Sequence, residues 1–324
     1  MRRLSLWESI AGAYASEILL ALCRSPLARE LLAPCTADWL ARRHRLNPQG
    51  LAQLLDYLVR STDLLVKKGG RYQLQATPAL LATISFQLEK FRGAYGPAVM
   101  ACMDSLRDER LARGRVDRAA LASAFAAVAN SVNQEALQAI DAARVECLLD
   151  LGCGAASLLR ELALREDRFT GIGIDASAHM CRVARKLLRE AGIEKRIAIV
   201  HGDAPAALSR IGMRKRERVE ALYGASFLNE FFARGESGAI RALQRLRRLF
   251  PGRRAWFVDY YGGRSSPVNM LQDVAQVVSG QGVPPKTRAA WSRIYRAAGC
   301  SVVSLRDYRS GPTEWFLHQV TLGE

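Results

Sequence analysis

The chain has 324 residues, which is too many for one small hydrophobic core and suits two domains. Hydrophobic residues make up 49% and charged residues 24%, the composition of a globular protein rather than a disordered one. The apolar segment from Ile10 to Leu32 is interrupted by charge at four positions between Glu17 and Glu30, which argues against a membrane span or a signal peptide. We therefore expect a cytoplasmic protein.

The formal net charge of +16 raises the question of a nucleic-acid or membrane partner. However, 40 of the 47 basic residues are arginine, in a chain rich in alanine and leucine, which is typical of a GC-rich genome. The densest basic run, Arg214 to Arg218, contains Glu217 and is interpreted as a solvated loop. Nucleic acid and membrane are not expected as partners.

The cysteines form no C-x-x-C pair and are scattered through apolar segments, which indicates reduced, buried thiols rather than disulfides or a zinc site. They are Cys23, Cys35, Cys102, Cys147, Cys153, Cys181 and Cys300. No metal site is predicted from these residues or from the spacing of the four histidines.

The first predicted element is a helix with an apolar face. Leu6, Ile10, Tyr14, Ile18 and Leu22 recur every four residues, as on one side of a buried helix. This face can pack within its own domain or against a second subunit.

A helix-turn-helix pattern follows. Thr36 is a good cap for a helix over 37–43, and Pro48 opens a second helix that carries leucines at 51, 54, 55 and 58. Two short apolar segments around Gly69-Gly70 then predict a hairpin, which completes a winged helix. The polar face of the second helix includes Asp56, so dimerisation is favoured over DNA binding.

Residues 78–145 are predicted to be helical, with a break near 113–115. From residue 145 strands alternate with helices, which predicts a Rossmann-like, doubly wound parallel sheet. The predicted strands are 145–151, 169–175, 197–201, 219–225, 255–260 and a closing pair, 302–305 and 315–321; the predicted helices are 158–165, 178–191, 237–249 and 286–298. We accordingly divide the chain into a helical and winged-helix domain, 1–112, and an α/β domain, 113–324.

The motif that carries the chemistry ends the first strand of the α/β domain. Asp150, Gly152 and Gly154 form a D-x-G-x-G turn, and Asp175 ends the next strand 21 residues after Gly154. Glycines let the backbone approach a ligand, and an acidic residue at that strand end can accept hydrogen bonds from a ribose diol. The G-x-G-x-x-G pattern of nicotinamide enzymes is missing, and Asp150 would repel a pyrophosphate but attract an ammonium or sulfonium group.

The segment 145–203 resembles the cofactor half of class I S-adenosylmethionine-dependent methyltransferases. The resemblance implies that Asp150, Gly152, Cys153 and Gly154 contact the methionine part of the cofactor and that Asp175 holds its ribose. It further implies that a G-D pair after the third strand approaches the adenine. The matching residues are Asp203 and Ala204.

Together with the predicted winged helix, the whole chain resembles the small-molecule O-methyltransferases, whose N-terminal domains form intertwined dimers. This resemblance implies a homodimer with S-adenosyl-L-methionine as cofactor and a small metabolite as substrate. The chain departs from the family at the position after the fourth strand, where many members carry a catalytic histidine and this chain has Asn229.

An amide cannot take a proton at neutral pH, so Asn229 cannot be the general base. Glu230 beside it is the candidate base, provided that burial raises its pKa. A site without the histidine also suits C-methylation of an enolisable acceptor, so a hydroxylated aromatic and a 2-oxo acid both stay open as substrates. A metal held partly by Glu230 also stays open.

Three hypotheses result. The first is a biosynthetic methyltransferase that acts on a small molecule. The second is a nucleic-acid methyltransferase that uses the winged helix and basic surface, and the third is a cofactor-binding regulator without catalysis. The first accounts best for the motif and for the mixed face of the second helix.

Overall fold

The computed structural model describes residues 3–108, 112, 114–310 and 313–323. The chain divides into two compact units, Met1–Gly96 and Pro97–Glu324. The boundary predicted from the sequence lies between residues 112 and 113, which is 16 residues after the division between Gly96 and Pro97. Arg113 is outside the described residues. Each unit has its own hydrophobic core.

The first unit is mostly helical, with one two-stranded hairpin. Its elements are α1 (Leu6–Cys23), α2 (Leu27–Glu30), α3 (Ala37–His44), α4 (Pro48–Ser61), β1 (Leu65–Lys68), β2 (Arg71–Leu74) and α5 (Pro78–Leu88), which continues into a π-helical turn, Glu89–Ala94. The predicted helices and hairpin lie at their predicted positions. Thr36 and Asn47 cap α3 and α4 by accepting backbone hydrogen bonds from Trp39 and Gly50.

Helix α1 begins with a capping box between Ser5 and Glu8. Of the predicted apolar face, Leu22 is buried in the core of the unit, whereas Leu6 and Tyr14 are 69% and 66% exposed. Among the described residues α1 alone is long and apolar enough to cross a membrane. Its length and composition do not identify a membrane span, because core helices and signal sequences have the same length and composition.

The second unit alternates strands and helices. Its elements are α6 (Gly96–Met100), α7 (Cys102–Arg107), α8 (Arg118–Ala142), β3 (Cys147–Leu151), α9 (Ser157–Arg165), β4 (Thr170–Asp175), α10 (Ala178–Glu190), β5 (Ile197–His201), α11 (Ala204–Ala207), α12 (Met213–Arg218), β6 (Ala221–Ala225), α13 (Glu236–Leu249), β7 (Arg254–Asp259), α14 (Pro267–Val278), α15 (Arg288–Ala297), β8 (Cys300–Ser310) and β9 (Thr313–Leu322). Two 3-10 turns, Leu208–Arg210 and Leu228–Arg234, complete it.

The seven strands form one sheet in the order β5-β4-β3-β6-β7-β9-β8. The first five strands of this order are parallel, and β9 pairs antiparallel with both β7 and β8. The predicted Rossmann-like class is confirmed, and the closing strand pair is longer than the sequence indicated. The strand order reverses between β3 and β6, which makes a crevice at their carboxyl ends.

Alternate residues of each strand enter two cores, one on each face of the sheet. Leu149 and Phe257 belong to one core, and their neighbours Leu148 and Trp256 belong to the other. Helices cover both faces, as a doubly wound sheet requires, because both faces of a parallel sheet are apolar.

Two segments differ from the sequence predictions. Helix α14 was not predicted, although Ser266 caps it and Pro267 occupies its first turn. The basic run 214–218, interpreted as a loop, lies in the short helix α12, whose residues are mostly exposed. All seven cysteines are free, and five of them are buried.

Candidate active site

The turn after β3 is tied to the neighbouring strand by its main chain. The backbone N–H groups of Gly152 and Cys153 both donate to the carbonyl of Ile174 in β4, at 2.8 and 3.0 Å. Gly152 and Gly154 have φ of 75° and 53°, and Ala156 reaches 58° as a non-glycine residue. The first two positions need glycine, because a left-handed backbone is costly for other residues.

Cys153 packs against β4 and contributes to the turn through its backbone. A Cβ on Gly173 would lie 2.6 Å from the Cys153 Sγ, so β4 must have glycine at this position. Burial raises the pKa of the Cys153 thiol well above its usual value, and the charges of Asp150 and Asp175 raise it further. The thiol is therefore neutral and unreactive.

Asp150 is a buried carboxyl group in the middle of the crevice. It is 3% exposed and lies in register with Gly173 on one side and Tyr223 on the other. Burial raises its pKa to about 8, with a further contribution from the charge of Asp175. Within the described part of the chain no hydrogen-bond donor reaches its carboxyl group. Such a group gains most from a cationic ligand.

Asp175 ends β4 and is held by two main-chain donors. Its Oδ2 accepts from the Gly154 N–H at 2.8 Å, and its Oδ1 accepts from the Ser177 N–H at 2.7 Å. Burial raises the pKa of this carboxyl group, and the two hydrogen bonds lower it. Each oxygen keeps a lone pair for a further donor such as a ribose hydroxyl.

The G-D pair lies at the end of β5, on the strand next to β4. Asp203 is exposed and its side chain makes no capping bond to α11, whereas Ala204 is 8% exposed. Gly202 has φ of 153°. The structure thus brings all the predicted cofactor residues to the carboxyl ends of three adjacent strands.

The predicted catalytic pair lies on the 3-10 turn after β6. Asn229 is 4% exposed, and its Oδ1 has no hydrogen-bond partner among the described residues. Its backbone N–H donates to Asp259 Oδ2 at 3.0 Å. Glu230 is exposed, so the burial that would raise its pKa is not provided within the described chain, and its role as base stays a prediction.

Asp259 is a buried acidic residue that the sequence analysis missed. It is fully buried at the end of β7, and its Oδ1 accepts from the Tyr260 N–H at 3.0 Å. The sequence could have indicated it, because Asp259 lies at the end of an apolar strand, as Asp150 and Asp175 do. The carboxylate fixes the main chain at Asn229 and so orients the turn that carries the predicted pair.

A small cleft, open to solvent, lies beside this turn. Its lining consists of Ser226, Tyr260, Val268, Asn269, Gln272 and Trp315. Ser226 has a left-handed backbone with φ of 50°, and its N–H donates to the Val258 carbonyl at 2.7 Å. This conformation turns the chain sharply away from β6 and leaves space beyond the strand end.

Comparison with known protein families identifies the domain that contains these residues. Residues 148–248, from β3 through most of α13, match the family described as a methyltransferase domain. The chain carries a methyltransferase domain. The matched segment includes the glycine turn, Asp175, Asp203 and the turn at Asn229, so the family predicted from the sequence is confirmed for this part of the chain.

A curated relative matches about a third of the chain. Methyltransferase ungE' of Aspergillus campestris (strain IBT 28561) is 32% identical over 110 residues, which cover 34% of this chain. The match spans 31% of that relative's length. The rest of the two proteins is not compared by this match.

Solved structures are similar over nearly the whole chain. The mitomycin 7-O-methyltransferase MmcR is 17% identical with a TM-score of 0.69, covering 97% of this chain and 95% of its own. The N,N-8-amino-8-demethyl-D-riboflavin dimethyltransferase RosA of Streptomyces davawensis is 20% identical with a TM-score of 0.62, covering 99% and 100%. CalO1, a methyltransferase in calicheamicin biosynthesis, is 18% identical with a TM-score of 0.66, covering 99% of each chain. At these identities the similarity concerns the fold. The class I fold predicted for the methyltransferase domain is confirmed.

Proposed function

We propose that the protein is an S-adenosylmethionine-dependent methyltransferase that acts on the oxygen or carbon of a small metabolite in a biosynthetic pathway. The observation that carries the proposal is a pair of carboxyl groups on either side of the glycine turn, the buried Asp150 and the half-buried Asp175, in a domain of the methyltransferase family. The methylation of small molecules by MmcR and CalO1, which share the fold over nearly the whole chain, supports a metabolite as substrate.

The residues of the crevice fit the cofactor. Asp150 is a buried carboxyl group without a donor, which suits the ammonium group of the methionine part. Asp175 is oriented by two N–H groups and offers its free lone pairs to the ribose diol. Gly152, Cys153 and Gly154 present main chain, and Asp203 and Ala204 lie on the adenine side. When bound, the cofactor supplies a methyl group that its sulfonium centre has already activated.

The residues on the turn after β6, where the methyl acceptor would bind, are better suited to positioning the acceptor than to removing its proton. Asn229 offers an amide for hydrogen bonding to the acceptor, and Asp259 holds its backbone. Glu230 is the nearest predicted base on that turn. A hydroxylated aromatic with an acidic proton, or an enolised carbon, fits a site without a histidine at this position, because positioning alone can supply much of the rate.

Calorimetry with S-adenosylhomocysteine tests the proposed function, together with an assay for its release from S-adenosylmethionine across phenols, 2-oxo acids and amines. We expect binding of the nucleoside and turnover of at least one panel. The absence of nucleoside binding by the folded chain would contradict the proposal.

We also propose that the protein works as a homodimer in the cytoplasm. Support comes from α1, which leaves the apolar side chains of Leu6, Trp7, Ile10 and Tyr14 at least 40% exposed. The free cysteines agree with a reducing compartment.

Light scattering checks the assembly. We expect a mass of twice the 35.7 kDa chain, which Trp7→Glu lowers toward that of the single chain because it places a charge in an apolar interface. Met213→Glu, a matched change at an exposed residue of the other unit, should leave the mass unchanged. A wild-type protein that is monomeric at micromolar concentration and active would contradict the dimer.

A further inference from the structure

Helix α14 buries three amide side chains beside Ala275 and Val278 and exposes an apolar face. Asn269, Gln272 and Gln276 recur at helical spacing and are 1%, 8% and 1% exposed. The opposite face is at least 40% exposed and consists of Met270, Leu271, Val274 and Val277. A helix that only packs on a sheet shows the reverse arrangement, so the buried amides need another explanation.

The three amides differ in what satisfies them. Asn269 is part of the fold, because its Nδ2 donates to the Tyr261 carbonyl at 3.1 Å and its Oδ1 accepts from the Ser266 hydroxyl at 2.6 Å. Gln276, by contrast, has a buried Oε1 without a partner among the described residues. Gln272 lies on the same face and lines the cleft, and no hydrogen bond satisfies its carboxamide in the described part of the chain.

The Gln272 carboxamide lines the cleft without a hydrogen bond to the described residues, so a ligand in the cleft can pair with it. The cleft also provides two aromatic walls, Tyr260 and Trp315. The aromatic walls suit a flat ligand, because flat rings stack on aromatic side chains. The carboxamide of Gln272 suits a ligand edge with both a hydrogen-bond donor and an acceptor, because a carboxamide carries one of each.

The charges around the cleft select against an anionic ligand. None of its six lining residues is ionisable below the tyrosine range. Asp273 accepts from the Tyr260 hydroxyl at 3.1 Å, and Asp259 is buried next to Tyr260, so two acidic side chains lie close to this wall of the cleft. The guanidinium of Arg264 is 3.0 Å from Glu314 and stacks on Tyr261, so it is already engaged.

We propose that Gln272 is a specificity-determining residue, whose carboxamide forms paired hydrogen bonds with an uncharged amide or lactam edge of the methyl acceptor. The inference rests on the proposed function and narrows it. Of the two substrate classes that the sequence left open, it favours a neutral hydroxylated ring over a 2-oxo acid. The carboxylate of a 2-oxo acid would lie near Asp259 and Asp273, and none of the six residues that line the cleft is a cation.

Three acceptor analogues test the proposal by calorimetry on the full chain, with and without S-adenosylhomocysteine. These are 4-hydroxy-2-quinolone, which has a lactam edge; 1-naphthol, which has a similar shape without that edge; and phenylpyruvate, a 2-oxo acid. We expect the quinolone to bind at least about tenfold more tightly than 1-naphthol, the usual range for a satisfied buried hydrogen-bonding group.

Gln272→Leu should reduce this preference to about threefold or less, mainly by weakening quinolone binding, because it removes the paired hydrogen bonds. Gln272→Met serves in the same way if the leucine variant does not fold. Leu271→Gln, on the exposed face of the same helix, is the matched control and should keep the full preference.

Survival of the preference in Gln272→Leu would overturn the proposal. So would tighter binding of phenylpyruvate than of the quinolone, or the absence of any preference for the quinolone in the wild-type chain. Failure of the proposed function is distinct: it would appear as a lack of S-adenosylhomocysteine binding, whatever the three analogues do.

Discussion

The two halves of the crevice are built in different ways. On the β3–β5 side, ligand-facing groups are fixed by main-chain hydrogen bonds: Gly152 and Cys153 to Ile174, and Gly154 to Asp175. On the β6–β7 side, the side-chain Oδ1 of Asn229 is buried without a partner among the described residues, and the Gln272 side chain lines the cleft. A half held by backbone recognises a constant ligand, whereas a half lined by replaceable side chains can be adapted to a variable one. This is the division of labour expected between a shared cofactor and a particular acceptor.

The largest effect is expected on the acceptor side. If Glu230 takes the proton, Glu230→Gln should lower kcat by about 10²–10⁴-fold and leave cofactor affinity unchanged. Glu236→Gln, at the start of the next helix, is the control for loss of a carboxylate nearby. Steady-state kinetics on the true acceptor checks this. Full turnover by Glu230→Gln would mean that catalysis comes from positioning the methyl acceptor. The β6–β7 side would then act through binding alone.

A smaller effect is expected on the cofactor side. Asp175→Ala should weaken S-adenosylmethionine binding by about 1–3 kcal/mol, because it leaves the ribose hydroxyls and two N–H groups unpaired. Acceptor binding should stay nearly constant. Calorimetry on the variant and on Asp167→Ala, an exposed aspartate, measures the difference. Equal affinities for the two variants would mean that Asp175 does not hold the cofactor.

The smallest expected effect concerns Asp150 and pH. Its folded-state pKa of about 8 lies above the unfolded value near 3.9, so the native state binds this proton more tightly. The stability contribution is complete below about pH 4 and is lost as the pH rises toward 8.

Asp150→Asn removes this dependence, because an amide does not titrate. We expect the variant to gain at least about 1 kcal/mol over the wild type between pH 5 and 8 and to bind the cofactor less well. Denaturant unfolding at several pH values measures the gain, with Asp167→Asn as control. Parallel pH profiles for wild type and Asp150→Asn would show that Asp150 is not protonated in the fold.

The sequence predicted the cofactor half better than the acceptor half, for a physical reason. Main-chain recognition requires glycine at Gly152 and Gly154, and a strand end displays its acidic residue, so the pattern is visible locally. The acceptor half depends on contacts between distant segments, such as the bond from the Asn229 backbone to Asp259. The apolar periodicity of α1 was visible too, but nothing in it indicated that Leu6 and Tyr14 would be exposed in the single chain. Helix α14 escaped prediction because its buried face mixes amides with apolar residues while its exposed face is apolar.

The burial of Asp150 also bears on how the methyl donor is loaded and renewed. A cationic ammonium beside a carboxyl group that is largely protonated near neutral pH should expel that proton on binding. The apparent enthalpy of donor binding would then vary with the ionisation enthalpy of the buffer. The demethylated product loses the sulfonium charge but keeps the ammonium group. Exchange of product for fresh donor would therefore leave Asp150 ionised, and only the first loading of the empty protein would release a proton to solvent.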